Sequence, residues 1–138
     1  MKPALILDTH VWLWWLLGQP QLSDVERDAL DELAASGTPP GLSPISLWEA
    51  QMLAAKGRLE LFGPLSEWLP VAASPETVHL LPMDIAVILA LDNLPKEFHG
   101  DPADRIITAT ARANNLPLAT HDGNIRRSRV ARIWKHQP

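Results

Sequence analysis

The sequence predicts a three-layer α/β/α domain with a mostly parallel central sheet of four to five strands. Short, continuous apolar runs are typical of strands buried on both faces, and stretches with the signals of helices lie between them. Strands that alternate with helices favour a parallel sheet covered by helices on both sides. The length of 138 residues fits one domain, spanning residues 1–138, with no linker or internal repeat.

Five apolar runs are candidates for strands of this sheet. The first run ends at a polar break formed by Asp8. The last is a candidate fifth strand at an edge of the sheet. The five runs are Ala4–Leu7, Leu42–Ser43, Thr77–Leu81, Leu116–Thr120 and Val130–Trp134.

Capping signals divide much of the remaining chain into helices. Gly18 ends the first helix, because glycine tolerates the left-handed conformation found after many helices. Ser23 and Glu26 form a capping box that opens the second helix, and Asp101 caps a helix with Pro102 in its first position. The predicted helices are Val11–Leu17, Asp24–Gly37, Ile45–Ala55, Pro64–Ala73, Asp84–Leu91 and Pro102–Ala113.

The composition excludes several kinds of site. There is no cysteine, so disulfides, thiolate zinc sites and cysteine nucleophiles are excluded. Neither a signal peptide nor an apolar run of about 18 residues is found, so we expect a soluble, cytoplasmic protein that does not span a membrane.

The net charge of −4 argues weakly against non-specific binding of nucleic acid, but the charge is uneven along the chain. Basic residues crowd the C-terminal segment, where they form either a rim that binds an RNA backbone or a solvated tail. The candidates for RNA contact are Arg126 and Arg127, followed by Arg129, Arg132 and Lys135.

Acidic residues lie where strands end or where the following helices begin. Asp8 and Asp122 follow two of the apolar runs, Glu49 starts an apolar helical stretch, and Asp104 lies in a helix-opening segment. The carboxyl ends of parallel strands share one edge, outside which ligands bind. Carboxylates gathered there repel one another unless some are protonated or a hard divalent cation neutralises them. We favour the cation.

Two of these acids also have a structural interpretation. Asp8 is suitable as the cap of a helix that begins at Thr9. Glu49 lies three residues after Ser46, which is the spacing of a capping box. Either role would leave the acid with a local partner and no catalytic function.

The other acids have similar alternatives. Asp104 gains from the helix dipole in the first turn, and Asp122 with the following glycine is a common turn pair. Asp101 is interpreted mainly as a helix cap. Thr9 and Thr120 each lie close to an acid and are suited either to hydrogen-bonding a carboxylate or to an ordinary strand end.

An oxygen-only site indicates Mg²⁺ or Mn²⁺. Zinc is disfavoured, because the five histidines lack paired helical spacing and there are no thiolates. A hard cation among carboxylates activates water and stabilises charge on phosphoryl oxygens, so the pattern points to phosphate chemistry.

Four segments resemble the ordered motifs of PIN-domain nucleases, in particular the VapC-like toxins of type II toxin–antitoxin systems. These segments are Leu7–Trp14, Ser43–Glu49, His99–Arg105 and Leu118–Asp122. The resemblance spans nearly the whole chain. It implies a PIN-like fold, an endoribonuclease dependent on Mg²⁺ or Mn²⁺, inhibition by a cognate antitoxin protein, and a homodimer. The family's acidic quartet falls on Asp8, Glu49, Asp104 and Asp122, with Asp101 as a further metal-binding acid and Thr9 and Thr120 as supporting hydroxyls.

The segment Trp12–Trp15 departs from the family in its number of tryptophans. Trp12 and Trp15 face the sheet together only if Trp14 points elsewhere. Trp14 is therefore a candidate for an interface with a partner, with burial under a neighbouring helix as the alternative.

Rival functions are a metal-dependent phosphatase and a non-catalytic α/β binding module. A haloacid-dehalogenase-type phosphatase needs a second aspartate two residues after the first, where this chain has His10. A phosphorelay receiver domain needs an adjacent acidic pair and a lysine at a late strand end, and neither is present. A non-catalytic module leaves the acidic quartet unexplained.

Overall fold

The computed structural model describes residues 2–98 and 100–135. Within them the chain forms four short strands and seven helices. The strands are β1 (Ile6–Leu7), β2 (Gly41–Leu42), β3 (His79–Leu80) and β4 (Leu118–Ala119). The helices are α1 (Thr9–Leu17), α2 (Asp24–Ala35), α3 (Pro44–Ala55), α4 (Leu65–Ala72), α5 (Ile85–Asp92), α6 (Pro102–Ala113) and α7 (Gly123–Ser128).

The four strands form one sheet in the order β3-β2-β1-β4, and every pairing is parallel. Ile6 of β1 aligns with Gly41 of β2 on one side and with Leu118 of β4 on the other. The predicted α/β sheet is confirmed with four strands. The fifth candidate, Val130–Trp134, contributes only an isolated parallel bridge between Ile133 and Leu118.

Alternate residues of the segment 5–7, which contains β1, face two separate cores. Leu5 and Leu7 join a cluster with residues of α1, α2 and α4, including Trp12. Ile6 joins a second cluster with residues of α5, α6 and α7, including Ile107. Because strand side chains alternate between the two faces, these clusters form the two interfaces of a three-layer α/β/α fold.

The predicted helix boundaries are largely confirmed by the caps. Gly18 adopts a left-handed conformation (φ 65°) after α1, and both hydrogen bonds of the Ser23 and Glu26 capping box are present. Asp101 caps α6 through its side chain. Helix α7 was not among the predicted helices, and the structural alternative for Asp122 and Gly123 was a turn.

The tryptophans of α1 point in the predicted directions. Trp12 and Trp15 are buried, and Trp14 is partly exposed. The indole N–H of Trp12 donates to the carbonyl of Ala72 (3.0 Å).

Among the described residues, no helix is long and apolar enough to cross a bilayer. His99, in the third motif, lies outside the described residues.

Candidate active site

The carboxyl ends of β1 and β4 carry the predicted site. The chain leaves β1 for β2 on one side of the sheet, while β4 flanks β1 on the other. A parallel sheet opens a crevice at such a reversal of strand order, and the helices that follow the strands begin at the same edge. Helices α1, α3 and α7 begin directly after β1, β2 and β4, respectively.

Asp8 is the most buried of the acids, with 4% of its surface exposed. Its backbone takes the N-cap position of α1, but its side chain makes no capping hydrogen bond. Oδ2 instead accepts from the hydroxyl of Thr120 (2.7 Å). Oδ1 is buried and has no hydrogen-bond partner among the described residues. Burial raises the pKa of Asp8, although the Thr120 hydrogen bond opposes this rise. Asp8 therefore occupies the cap position of α1 without capping the helix through its side chain.

Glu49 lies on α3 and is held by residues of two elements. The hydroxyl of Thr9 donates to Oε1 of Glu49, and the hydroxyl of Ser46 lies 2.8 Å from that of Thr9. The cap of α3 is Ser43, whose hydroxyl accepts from the N–H of Ile45 (3.2 Å). The alternative interpretation, a capping box formed by Ser46 and Glu49, is therefore wrong. Burial raises the pKa of Glu49, and the charge of nearby acids adds to the rise.

Asp101 and Asp104 lie at the start of α6. One carboxylate oxygen of Asp101 accepts from the N–H of Asp104 (3.0 Å), as predicted for a cap. Burial raises the pKa of Asp104 to about 8, and charge repulsion from four acids contributes to the rise. These acids are Asp8, Asp101, Asp122 and Glu49. All five predicted acids are therefore close enough to share one electrostatic environment.

Asp122 joins the site from the start of α7. Its Oδ1 accepts from the N–H of Ile125 (2.9 Å), and its own N–H donates to the hydroxyl of Thr120 (3.0 Å). Thr120 thus links Asp122 to Asp8, and both hydroxyls that were predicted to support the acids contact a carboxylate.

The donor chemistry of this pocket fits a hard cation. All five acids supply oxygen, and the unpartnered Oδ1 of Asp8 is a buried acceptor that a cation would satisfy. Within residues 2–98 and 100–135, however, no three acidic or histidine side chains are already arranged to hold a metal ion. Ligation by three or more of these acids would therefore need some movement of their side chains.

Two residues of the pocket were missed as functional candidates. Ser46 supports Thr9, and its spacing of three residues from Glu49 already placed both on one face of the helix. His10 is exposed, and its charge lowers the pKa of both Asp8 and Glu49 against the dominant effect of burial. Its position two residues after Asp8 was the available signal.

The two arginines predicted to contact RNA lie on α7. Nε of Arg126 donates to the carbonyl of Thr120 (2.9 Å), and Arg127 donates to the side chain of Asn124 (2.7 Å). Both side chains are exposed. Arg126 is thereby tied to the same residue that holds Asp8.

The sequence matches the PIN domain family over residues 5–131. The chain belongs to the PIN domain family. It is 36% identical over 138 residues to Ribonuclease VapC22 of Mycobacterium tuberculosis, with 95% of this chain and 98% of that protein aligned. Its fold is similar to a chain in the crystal structure of VapBC2 from Rickettsia felis bound to a DNA fragment from their promoter. That match has a TM-score of 0.70 at 16% identity and covers 96% of this chain and 98% of the other.

Family membership confirms the predicted PIN fold and makes this chain a homologue of the VapC ribonucleases. PIN-domain nucleases of the VapC type depend on a metal ion, which agrees with the oxygen-rich pocket. A nuclease of this family is preferred over the rival phosphatase and the non-catalytic module.

Proposed function

We propose that this PIN-domain protein is the toxin of a type II toxin–antitoxin pair, a cytoplasmic endoribonuclease dependent on Mg²⁺ or Mn²⁺. The observation that carries the proposal is the gathering of acids at one edge of the parallel sheet, where Thr120 links Asp8 to Asp122 and Oδ1 of Asp8 is buried without a partner among the described residues. Such a cluster is unfavourable without a cation and is suited to phosphodiester hydrolysis with one. We take residues 1–138 as one PIN domain.

The ion would be held by Asp8, Glu49, Asp104 and Asp122, with Asp101 as an additional ligand. When bound, a hard divalent ion lowers the pKa of water and neutralises charge that develops on the phosphoryl oxygens. Mg²⁺ and Mn²⁺ both prefer carboxylate oxygen, so the donor set supports either ion.

The surrounding residues hold these carboxylates in place. Thr120 fixes Oδ2 of Asp8 and leaves Oδ1 directed away from that hydrogen bond. Thr9 holds Glu49, and Ser46 holds Thr9. Buried hydroxyls with satisfied hydrogen bonds restrict the rotamers of the acids, and such outer partners tune metal sites.

The reaction is hydrolysis of an RNA phosphodiester, in which the attacking water lies in line with the leaving oxygen. Water attacks phosphorus, the bond to the 3′ oxygen breaks, and the products carry a 5′-phosphate and a 3′-hydroxyl. Arg126 and Arg127 would bind the RNA backbone, and their shared position in the last turn of α7 supports this role. The Nε contact to Thr120 leaves four further N–H donors on the Arg126 guanidinium.

Cleavage of a labelled single-stranded RNA with Mg²⁺, with Mn²⁺ or with EDTA tests the activity. We expect cleavage only with a divalent ion, and its loss in Asp8→Asn. This variant should stay folded, because the Asp8 side chain makes no capping hydrogen bond to α1 and burial disfavours its charged form. Asp28→Asn, an exposed acid on α2, is the matched control. Cleavage by Asp8→Asn at the wild-type rate would refute the assignment, and hydrolysis of phosphomonoesters alone would favour a phosphatase.

We also propose a cognate antitoxin and a homodimer as partners. The structure supports a self-association surface on α5, where Ile85 is 80% exposed and Leu89 is 60% exposed. Large apolar side chains gathered on one short helix are typical of an interface. Sedimentation of the wild type and of Ile85→Asp tests the dimer, which the substitution should dissociate. Co-purification with the product of an adjoining short reading frame tests the antitoxin.

A further inference from the structure

Three ring side chains form an aromatic ridge near the pocket of the five acids, called the acidic pocket. The aromatic ridge consists of His10, Trp14 and His121. The ring centroids of His10 and Trp14 are 5.9 Å apart, and those of Trp14 and His121 are 5.3 Å apart. The first pair is tilted by 46° and the second meets edge to face at 75°. Trp14 therefore joins two imidazoles from distant parts of the chain.

Both histidines of the aromatic ridge are related to the carboxylates. His10 follows Asp8 by two residues, and its charge opposes the dominant effect of burial on the pKa of Asp8. His121 lies between Thr120 and Asp122, which both belong to the acidic pocket. His10 and His121 are therefore close in sequence to two acids of the pocket, Asp8 and Asp122.

One of the rings, His121, is also held in a fixed position. Nε2 of His121 lies 2.6 Å from a carboxylate oxygen of Glu26. The other oxygen of Glu26 accepts from both the N–H (3.1 Å) and the hydroxyl (2.9 Å) of Ser23. Although burial raises the pKa of Glu26, the hydrogen bonds from His121 and Ser23 outweigh it and lower this pKa. His121 is thus anchored to α2 while 32% of its side chain stays exposed.

A cleft of about 330 Å³ opens next to the aromatic ridge. Its apolar wall includes Leu13, Leu17 and the indole of Trp14, and the imidazole of His10 also lines it. Polar side chains that donate and accept hydrogen bonds complete the lining: Gln19, Gln21, Arg58 and Glu60. An aromatic surface with polar groups at its border is suited to a planar, polar-edged ring such as a nucleobase.

We propose that the aromatic ridge binds an unpaired base of the RNA next to the scissile phosphate, by stacking on His10 and Trp14. This inference rests on the proposed ribonuclease function and extends it to the residues that bind a base of the substrate. Stacking requires an exposed base face, so the base bound at the aromatic ridge is unpaired in the complex. An indole and an imidazole provide the stacking surface. The chain contains no tyrosine, and its two phenylalanines are not part of the aromatic ridge.

The test combines a substitution in the protein with removal of single bases from the RNA. Short single-stranded RNAs carry an abasic residue at each position flanking the cleavage site in turn, and the wild type, Trp14→Leu and Trp14→Phe are compared. Phe62→Leu removes an 82% exposed aromatic side chain outside the aromatic ridge and is the matched control. Thermal unfolding of each variant checks the fold.

We expect Trp14→Leu to lower kcat/KM on intact RNA by about tenfold, mainly through KM, within the range for one lost base stack. At one position the abasic residue should cause a similar loss for the wild type and little further loss for Trp14→Leu. Trp14→Phe should recover most of the activity, and Phe62→Leu should behave as the wild type.

Three results would overturn the proposal. The first is equal loss in Trp14→Leu on intact and abasic RNA at every position, which indicates a structural effect. The second is no effect of any abasic position on a wild type that cleaves RNA. The third is unchanged cleavage by Trp14→Leu with weaker antitoxin binding, which assigns Trp14 to the antitoxin. A wild type that cleaves no RNA contradicts the ribonuclease function instead.

Discussion

Replacing Asp104 by asparagine should stabilise the metal-free protein at neutral and mildly alkaline pH. The pKa of Asp104 is raised from 3.8 to about 8 by burial and by the charges of neighbouring acids. Between pH 4 and 8 the folded state therefore binds more protons than the unfolded chain does. Stability is highest below this range and falls as the pH rises toward 8. The asparagine variant carries no charge and should lose this part of the pH dependence.

The size of the effect follows from the pKa shift and from the exposure of the side chain. One pKa unit corresponds to about 1.36 kcal/mol, so the full shift would give several kcal/mol. Asp104 is only partly buried, and water screens its repulsion from the other acids. We therefore expect the variant to be about 1–2 kcal/mol more stable than the wild type at pH 8, and equally stable near pH 4.

Urea unfolding at pH 5, 6, 7 and 8, in EDTA and at constant ionic strength, measures this difference. Asp28→Asn is the control, because Asp28 is exposed on α2. The lowered pKa of Glu26 contributes stability that is lost only as the pH falls below about 4.5, outside this window. A wild-type stability that stays flat or rises from pH 5 to 8, or an Asp104→Asn curve parallel to it, would refute the reasoning.

Three further predictions concern the support of the site, the sheet and the cation. Thr120→Val removes the hydrogen bond to Asp8 (2.7 Å) and should cost about 1–3 kcal/mol and at least about tenfold in cleavage rate, measured by urea unfolding and RNA cleavage. Gly41→Ala places a Cβ 2.8 Å from the side chain of Leu81 and 3.0 Å from the Leu5 carbonyl oxygen, so the unfolding free energy should fall by about 1–3 kcal/mol. The Mn²⁺ affinity of this variant, measured by calorimetry, should stay unchanged. Mn²⁺ at about 100 times its Kd should add about 2.7 kcal/mol to the wild type, and much less to Asp8→Asn in the same unfolding assay.

The strands show how far an apolar run can define structure. Each of the four strands lies within or next to its predicted run, but each contains only two residues. A continuous apolar run indicates burial on both faces, and it does not indicate how many residues pair with a neighbour. Leu5 is as buried as Leu7 and still lies outside β1.

Helix α7 could not be recognised from periodicity. It has six residues, of which Ile125 is the buried hydrophobic residue, so it shows no repeating apolar face. Asp122 and Gly123 are common in turns, which favoured the turn interpretation. The useful signal was a capping aspartate with two arginines at the end of the same short segment, a charge order that suits the helix dipole.

The acids were predicted from the topology of a parallel sheet, but their partners were not. Sequence spacing does not distinguish a capping box from two residues on one helical face, because both place side chains three residues apart. Ser46 and Glu49 lie on one helical face. They are joined through Thr9, the first residue of α1. A partner 40 positions away in the sequence leaves no local pattern.

The helix caps distinguish the structural role of each acidic side chain from its role in the proposed metal site. Asp101 and Asp122 each use one oxygen to cap a helix, whereas Asp8 does not. Asparagine caps helices about as well as aspartate, and alanine costs about 1 kcal/mol there. At residue 101 or 122 the alanine variant should therefore be less stable than the asparagine variant by about 1 kcal/mol. The asparagine variant should already bind Mn²⁺ more weakly than the wild type. At Asp8 this cap contribution is absent, and equal stability differences between alanine and asparagine at all three positions, measured by urea unfolding, would contradict the division of roles.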